Sequence, residues 1–331
     1  MVLADSLSRF PDRGVQRLIG VNLAAQTLIV VTGGIVRLTE SGLGCPDWPR
    51  CAAGSITPTG EQAEGWHKWI EFGNRTLTGL VLLTAVLALT SAIVLARRGY
   101  RPQARTWAAL VIAGVLAQAV IGGVTVLTGL QPWTVSVHFL VSMLLITFST
   151  LALYDGRRMV ESPPVPATEV RAEIRLLTVA IAVLTGVILV LGTVVTGSGP
   201  HAGDAQTPRL GLDARAMSWL HADLVMLFAG LLVALLIALR LTDAPPVTRR
   251  SALAVLVVTV AQGGIGYTQY ASDLPESLVA LHMLGACLLV ITISWLTAAV
   301  HDRALPGVES ATVQAPSTNG STATAANSSV R

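Results

Sequence analysis

Charge is what this sequence has least of: Asp, Glu, Lys and Arg make up 12% of its 331 residues, against 52% hydrophobic. Several runs of ~20 residues are almost free of charge, the length a helix needs to cross ~30 Å of hydrocarbon, so a water-soluble domain is excluded and a polytopic membrane protein is expected. Cysteine is nearly absent, with three residues. With no second ligand pair near Cys45 and Cys51, a thiolate zinc site is not expected. A cleavable leader is not expected, because residues 1–17 are polar and the first apolar run is long enough to remain in the bilayer. The net charge of +3 is small, and its arginines report orientation in a lipid bilayer rather than a nucleic-acid partner.

What is present is a regular succession of apolar stretches. Candidate spans fall at about 15–38, 69–96, 106–129, 133–154, 175–197, 216–239, 251–270 and 276–299, each long enough for one crossing. Eight crossings place both termini on one side. Sixteen arginines (Arg9, Arg13, Arg17, Arg97, Arg98, Arg101, Arg105, Arg157, Arg158, Arg171, Arg175, Arg240, Arg249, Arg250, Arg303 and Arg331) would then share that side, against Arg37, Arg50, Lys68, Arg75, Arg209 and Arg215 on the other. Cytoplasmic segments keep the excess of basic residues, so both termini are expected in the cytoplasm of a cell-membrane protein.

The expected fold is all-α, with eight transmembrane helices in two tandem four-helix bundles related by internal duplication. Residues 1–14 form a cytoplasmic segment, 15–160 the first bundle, 161–174 a proline-bearing cytoplasmic linker, 175–300 the second bundle, and 301–331 a Ser/Thr/Ala/Asn-rich tail expected to be disordered. The duplication is read from IGGVTVLTGLQPWTVSVH (121–138) and QGGIGYTQYASDLPESLVALH (262–282), each of which ends one helix, turns near a proline and begins the next. Gln118 with Gly122 and Gly123 is matched approximately to Gln262 with Gly263 and Gly264.

Each of His138, His221 and His282 stands about five residues into its own apolar stretch, at the same end of its helix. In lipid, a histidine is costly enough to suggest a task, and imidazole is a heme-iron ligand. His221 and His282 could ligate one low-spin heme from both faces, with no obvious acidic relay partner. The first bundle has His138, but Asn74 occupies the depth matching His221. Glu71, one turn outward from Asn74, is either an interfacial acid paired with Arg75 or Lys68, or an acid/base group beside a substrate. His67 is an interfacial histidine or a further ligand. Arg37 and Arg75 either anchor their helices in the headgroups or pair with heme propionates. Cys45 and Cys51, on the oxidising face, suggest a disulfide, structural or redox-active. Cys287 is expected to pack as a small apolar side chain.

On these residues the chain resembles the heme A synthase family of eight-helix membrane proteins. GGIVRLTESGLGCPDWPRC (33–51) is similar to the family's first outer-loop signature, and WIEFGNR (69–75), GGVTVLTGLQPWTVSVH (122–138), His221 and His282 are similar to its ligand-bearing segments. The resemblance implies oxidation of the C8 methyl of heme O to a formyl group by successive hydroxylations, giving heme A for cytochrome oxidase. It also implies a substrate heme in the first bundle, at His138 and Glu71, and a heme b cofactor held by His221 and His282 in the second. Heme O synthase, a membrane prenyltransferase, would supply the substrate, and an unidentified electron-transfer partner would take the electrons. Where the family has a histidine after the glutamate, this chain has Asn74, so either His67 reaches down or the substrate iron keeps a weak or open position. The competing readings are a bis-histidine membrane cytochrome b that only relays electrons, and a transporter without heme.

Overall fold

The computed structural model describes residues 2–7, 9–160, 170–201, 203, 204 and 206–302. Among these it contains nine helices: α1 Val2–Leu7, α2 Asp12–Leu38, α3 His67–Arg97, α4 Gln103–Leu127, α5 Pro132–Gly156, α6 Ala172–Ser198, α7 Ala214–Leu241, α8 Pro246–Ala271 and α9 Glu276–His301. All but α1 are long and apolar enough to cross a membrane, and the protein is a multi-pass membrane protein. The expected spans match α2–α9 within a few residues at most ends, because length and apolarity are local properties. The proline-rich part of the linker (161–169) and the tail from 303 lie outside the described residues.

Two boundaries differ from expectation. The N-terminal segment holds α1, whose Ala4 and Leu7 are buried against the first bundle. The C-terminal boundary also moves, since α9 runs through His301 and Asp302 forms ion pairs with Arg101 and Arg158. Tyr154 adds a hydroxyl donated to Asp302 Oδ2 at 2.8 Å. A carboxylate held by two guanidinium groups is strongly fixed, so ordered structure extends beyond the expected domain edge.

Helix pairing closes two four-helix rings. In the first, α2 packs on α3 and α5, and α4 on α3 and α5; in the second, α6 packs on α7 and α9, and α8 on α7 and α9. The first ring is stitched by polar contacts: Asn22 Nδ2 donates to Ser149 Oγ at 3.1 Å and Thr84 Oγ1 to Asn22 Oδ1 at 3.4 Å, so α2, α3 and α5 share one buried amide. The second is filled by Phe228, Leu232, Leu235, Leu239, Ile181 and Leu296. Its buried threonines, such as Thr178 and Thr185, return their hydroxyls to the carbonyl four residues back on their own helix.

The α4–α5 and α8–α9 turns repeat one another. Gly129 (φ 64°) and Leu130 (φ 55°) in the first, and Asp273 (φ 58°) and Leu274 (φ 59°) in the second, are consecutive left-handed residues. Leu130 N–H reaches back to Thr125 O at 2.9 Å and Leu274 N–H to Gln269 O at 2.8 Å. A left-handed leucine is unfavourable by itself; Leu130 is buried, and its methyl groups fill the space left by Gly42 and Gly203. The rings meet along α5–α9, α2–α9 and α5–α6. At Gly34 of α2 a Cβ would meet the tip of the Met283 side chain of α9, so the two helices approach closely along the seam there.

Candidate functional site

The six histidines divide into two classes. His67 Nδ1 lies 2.9 Å from Ser41 Oγ, His201 Nε2 2.9 Å from the Leu274 carbonyl, and His301 Nδ1 2.8 Å from the Thr297 carbonyl. In His138, His221 and His282, Nδ1 is instead buried with no hydrogen-bond partner. Buried polar atoms are normally satisfied, so these three are the exceptions, and they are the three singled out by depth.

Each of the three rings lies against a glycine on the preceding helix. A Cβ on Gly122 would stand 3.2 Å from His138 Cε1, one on Gly192 3.4 Å from His221 Cε1, and one on Gly266 3.3 Å from His282 Cε1. Gly33 completes the set, at 3.7 Å from Asn74 Nδ2. Four helix pairs thus present a glycine to four side chains, three imidazoles and one amide. The residues fit a flat, iron-bearing ligand: each imidazole lays its Cε1–Nδ1 edge on a glycine, and imidazole is a heme-iron ligand.

The glycine pairing corrects the register of the repeat. Gln118 Nε2 donates to the His138 carbonyl at 2.8 Å, and Gln262 Nε2 to the His282 carbonyl at 3.0 Å. Gln118, Gly122, Leu130 and His138 therefore correspond to Gln262, Gly266, Leu274 and His282 at one constant offset. Gly263 and Gly264 are not the counterparts of Gly122 and Gly123, and the prolines fall one residue out of step. Glycines in adjacent positions point to different neighbours on a helix, which a string comparison does not resolve.

Asn74 Oδ1 accepts from Thr32 Oγ1 at 2.8 Å. Glu71 is buried: its Oε2 accepts from Cys45 N at 2.7 Å, and its Oε1 from Arg75 Nε at 2.9 Å, within an ion pair. Of the two basic partners considered for Glu71, Arg75 is the one observed, while Lys68 Nζ donates to the Thr59 carbonyl at 2.6 Å. Arg75 also donates to the carbonyls of Cys45 (2.6 Å), Asp47 (2.9 Å) and Arg50 (3.0 Å). Its guanidinium is therefore committed to the loop, leaving no free fork for a propionate. Cys45 and Cys51 form a disulfide with both sulfurs buried. Trp48 of this loop packs on α4, where a Cβ on Gly123 would come within 2.5 Å of its ring. The Glu71–Arg75 pair and the disulfide together hold the 45–51 loop against α3 and α4.

His67 sits seven residues, ~10 Å of helix rise, from Asn74 and is stacked on Trp66. Arg37 Nη2 crosses between the bundles to the Thr196 carbonyl of α6 at 3.0 Å.

The sequence model described as COX15-CtaA, cytochrome oxidase assembly protein, matches residues 16–209, more than half of the chain. The chain belongs to this family. The curated relatives include a heme A synthase of Geobacillus thermodenitrificans, 33% identical over 129 residues, or 38% of each chain. Another heme A synthase, from an Exiguobacterium strain, is 32% identical over 136 residues, covering 40% of this chain and 43% of that protein. A third, from Bacillus cereus, is 28% identical over 144 residues, 43% of each. These matches thus span less than half the length of the relatives.

The COX15-CtaA match contains Arg37, the disulfide loop, Glu71, Asn74 and His138, and stops before His221 and His282. For the second bundle, the geometry has to stand by itself. Two charged residues there carry no site role in the sequence reading. Asp223, two positions after His221, is exposed on a different side of α7, and among the described residues forms no ion pair. Arg209, in the α6–α7 loop, donates to the Pro200 carbonyl at 2.9 Å, four residues beyond the Thr196 that accepts from Arg37. Its distance from Arg37 in sequence concealed the pairing.

Proposed function

We propose that this chain is a heme A synthase that oxidises the C8 methyl of heme O to a formyl group, giving heme A for cytochrome oxidase. The observation that carries the reading is the unequal pair of ligand sets: His221 and His282 in the second bundle, His138 and Asn74 in the first. The second would hold resident heme b through two imidazoles; the first would hold an exchangeable substrate heme through His138. Heme b, when bound, supplies one-electron redox chemistry. An amide already accepting from Thr32 is a poor iron ligand, which leaves one face of the first pocket free for a substrate to enter and depart. Glu71 is the acid nearest that face, one turn outward from Asn74, and would bear on charge or protons at the substrate edge when freed from the Cys45 amide.

Duplication of one four-helix unit accounts for the shared register around His138 and His282. The arginine distribution supports both termini in the cytoplasm and the disulfide loop on the outer face. Heme O synthase as donor and a membrane electron-transfer partner follow from the reaction. The test is incubation of membranes containing the full chain with heme O, followed by pigment analysis for hemes B, O and A. Formyl heme is expected. Heme B alone, with no conversion under oxidising or reducing conditions, would instead favour a bis-histidine cytochrome that only relays electrons, and the absence of any Soret band would favour a transporter.

A further inference from the structure

The end of the seam nearest the histidines holds two arginines that, among the described residues, form no ion pair. Arg37 leaves the last turn of α2 and reaches α6, giving one N–H to the Thr196 carbonyl, while its Nε is buried without a partner. Gly203 of the α6–α7 loop packs on the Arg37 stem, where a Cβ would lie 3.4 Å from its Cγ. Gly203 also accepts the Gly42 N–H at 3.0 Å. That loop brings up Arg209, which donates to the carbonyls of Thr207 (2.7 Å) and Pro200 (2.9 Å), and Pro200 is four residues beyond Thr196, the acceptor of Arg37. Asp204, in the same loop, turns its Oδ1 to the Gln206 N–H at 2.9 Å. Among the described residues neither Arg37 nor Arg209 forms an ion pair.

Two like charges drawn together from different bundles, one with a buried unsatisfied donor, cost free energy unless an anion joins them. Their height in the fold narrows the choice. Arg37 is four residues beyond Gly33, which faces Asn74, and Thr196 is four beyond Gly192, which faces His221. Both therefore stand one turn, ~6 Å, outward of the ligand level. A porphyrin carries its carboxylates on one edge, and guanidinium groups match carboxylates through paired N–H donors.

We propose that Arg37 and Arg209 form a carboxylate site across the seam of the two bundles, occupied by a porphyrin propionate. The site rests on the heme reading above and adds to it that both bundles grip one porphyrin edge. Heme occupancy would then cancel the Arg37–Arg209 repulsion and tie the α6–α7 loop to α2.

The test is a set of absorbance titrations of the purified full chain with heme and with its dimethyl ester, whose carboxylates are blocked. Arg209→Gln and Arg37→Gln should each weaken heme binding by tenfold or more and leave ester binding unchanged, while Arg209→Lys should retain most of the affinity. Arg209 is exposed, so its replacement leaves the buried packing intact. Removing either charge should also raise the melting temperature of protein prepared without heme, a change opposite to that of losing a structural contact. Equal weakening of heme and ester binding, or no weakening of either, overturns the proposal. If heme and ester bind alike but acetate raises the melting temperature of the wild type and of neither glutamine variant, the anion site stands and the porphyrin is overturned as its occupant. If the wild type binds no heme, the synthase reading falls first, and the acetate comparison alone decides the site.

Discussion

The two four-helix bundles share a register of polar side chains set against glycines but differ in almost everything around it. The second is apolar, filled by Phe228 and a ladder of leucines, with His221 and His282 each lying against a glycine. The first is bound together by Asn22, Ser149 and Thr84, covered by a disulfide loop clamped through Glu71 and Arg75, and sets His138 and the Asn74 amide each against a glycine. A packed apolar interior around two imidazoles suits a ligand that stays. Polar stitching and a braced loop suit a pocket that must admit a ligand and keep its shape when empty. The contrast teaches that one repeated scaffold can be specialised by a few side chains at matched positions, chiefly Asn74 against His221.

The largest effect expected from breaking this comparison is at the complete pair. His221→Ala or His282→Ala should abolish the low-spin heme signal of the purified protein, and a spectrum like that of the wild type would remove the axial assignment. Next in size, Asn74→His should make the first bundle resemble the second. Bound heme should rise from roughly one to roughly two per chain, as two-imidazole ligation predicts, with turnover falling because the substrate is retained. Pyridine hemochrome quantification checks this, and an unchanged stoichiometry would show that Asn74 does not stand at a ligand position.

A smaller effect concerns the clamp. Arg75→Ala strands the buried Glu71 carboxylate and should destabilise the first bundle by about 3 kcal/mol, the lower end for breaking a buried pair because Arg75 is partly open to solvent. Chemical denaturation should report this loss while the second-bundle heme spectrum stays constant; equal disturbance of both bundles would mean that they are not energetically separable. Smallest of all, Gly122→Ala, Gly266→Ala and Gly192→Ala should perturb their imidazoles in that order, following the 3.2, 3.3 and 3.4 Å approaches. Each should weaken heme affinity by about fivefold or less, equivalent to ~1 kcal/mol of overpacking. A weakening in the reverse order would dissociate the glycines from ring placement.

Much of the molecule is legible in the linear chain. Span number and limits follow from runs of apolar residues, and the three site histidines from their similar distance into those runs. The disulfide follows from cysteines six positions apart. Less visible were the α1 helix, whose six residues carry no membrane-length signal, and the pairing of Asp302 with Arg101 and Arg158 beyond the last span. Arg75 was assigned the same alternatives as Arg37, yet one is spent on loop carbonyls and the other faces the seam. Their equivalent positions near helix ends conceal opposite neighbours.

The sequence by itself determined the membrane architecture, the depth of the histidines and the substitution of Asn74 for an imidazole, because these depend on composition and position along a helix. Only the tertiary structure decided that Gly122, Gly192 and Gly266 each face a histidine, that Glu71 holds the disulfide loop, and that Arg37 reaches the Thr196 carbonyl across the seam. Those outcomes depend on the rotation of each helix about its axis and on which helices become neighbours. A chain rich in interchangeable Leu, Val and Ala leaves that rotation to packing, with close contacts such as Gly34 against Met283 selecting the arrangement.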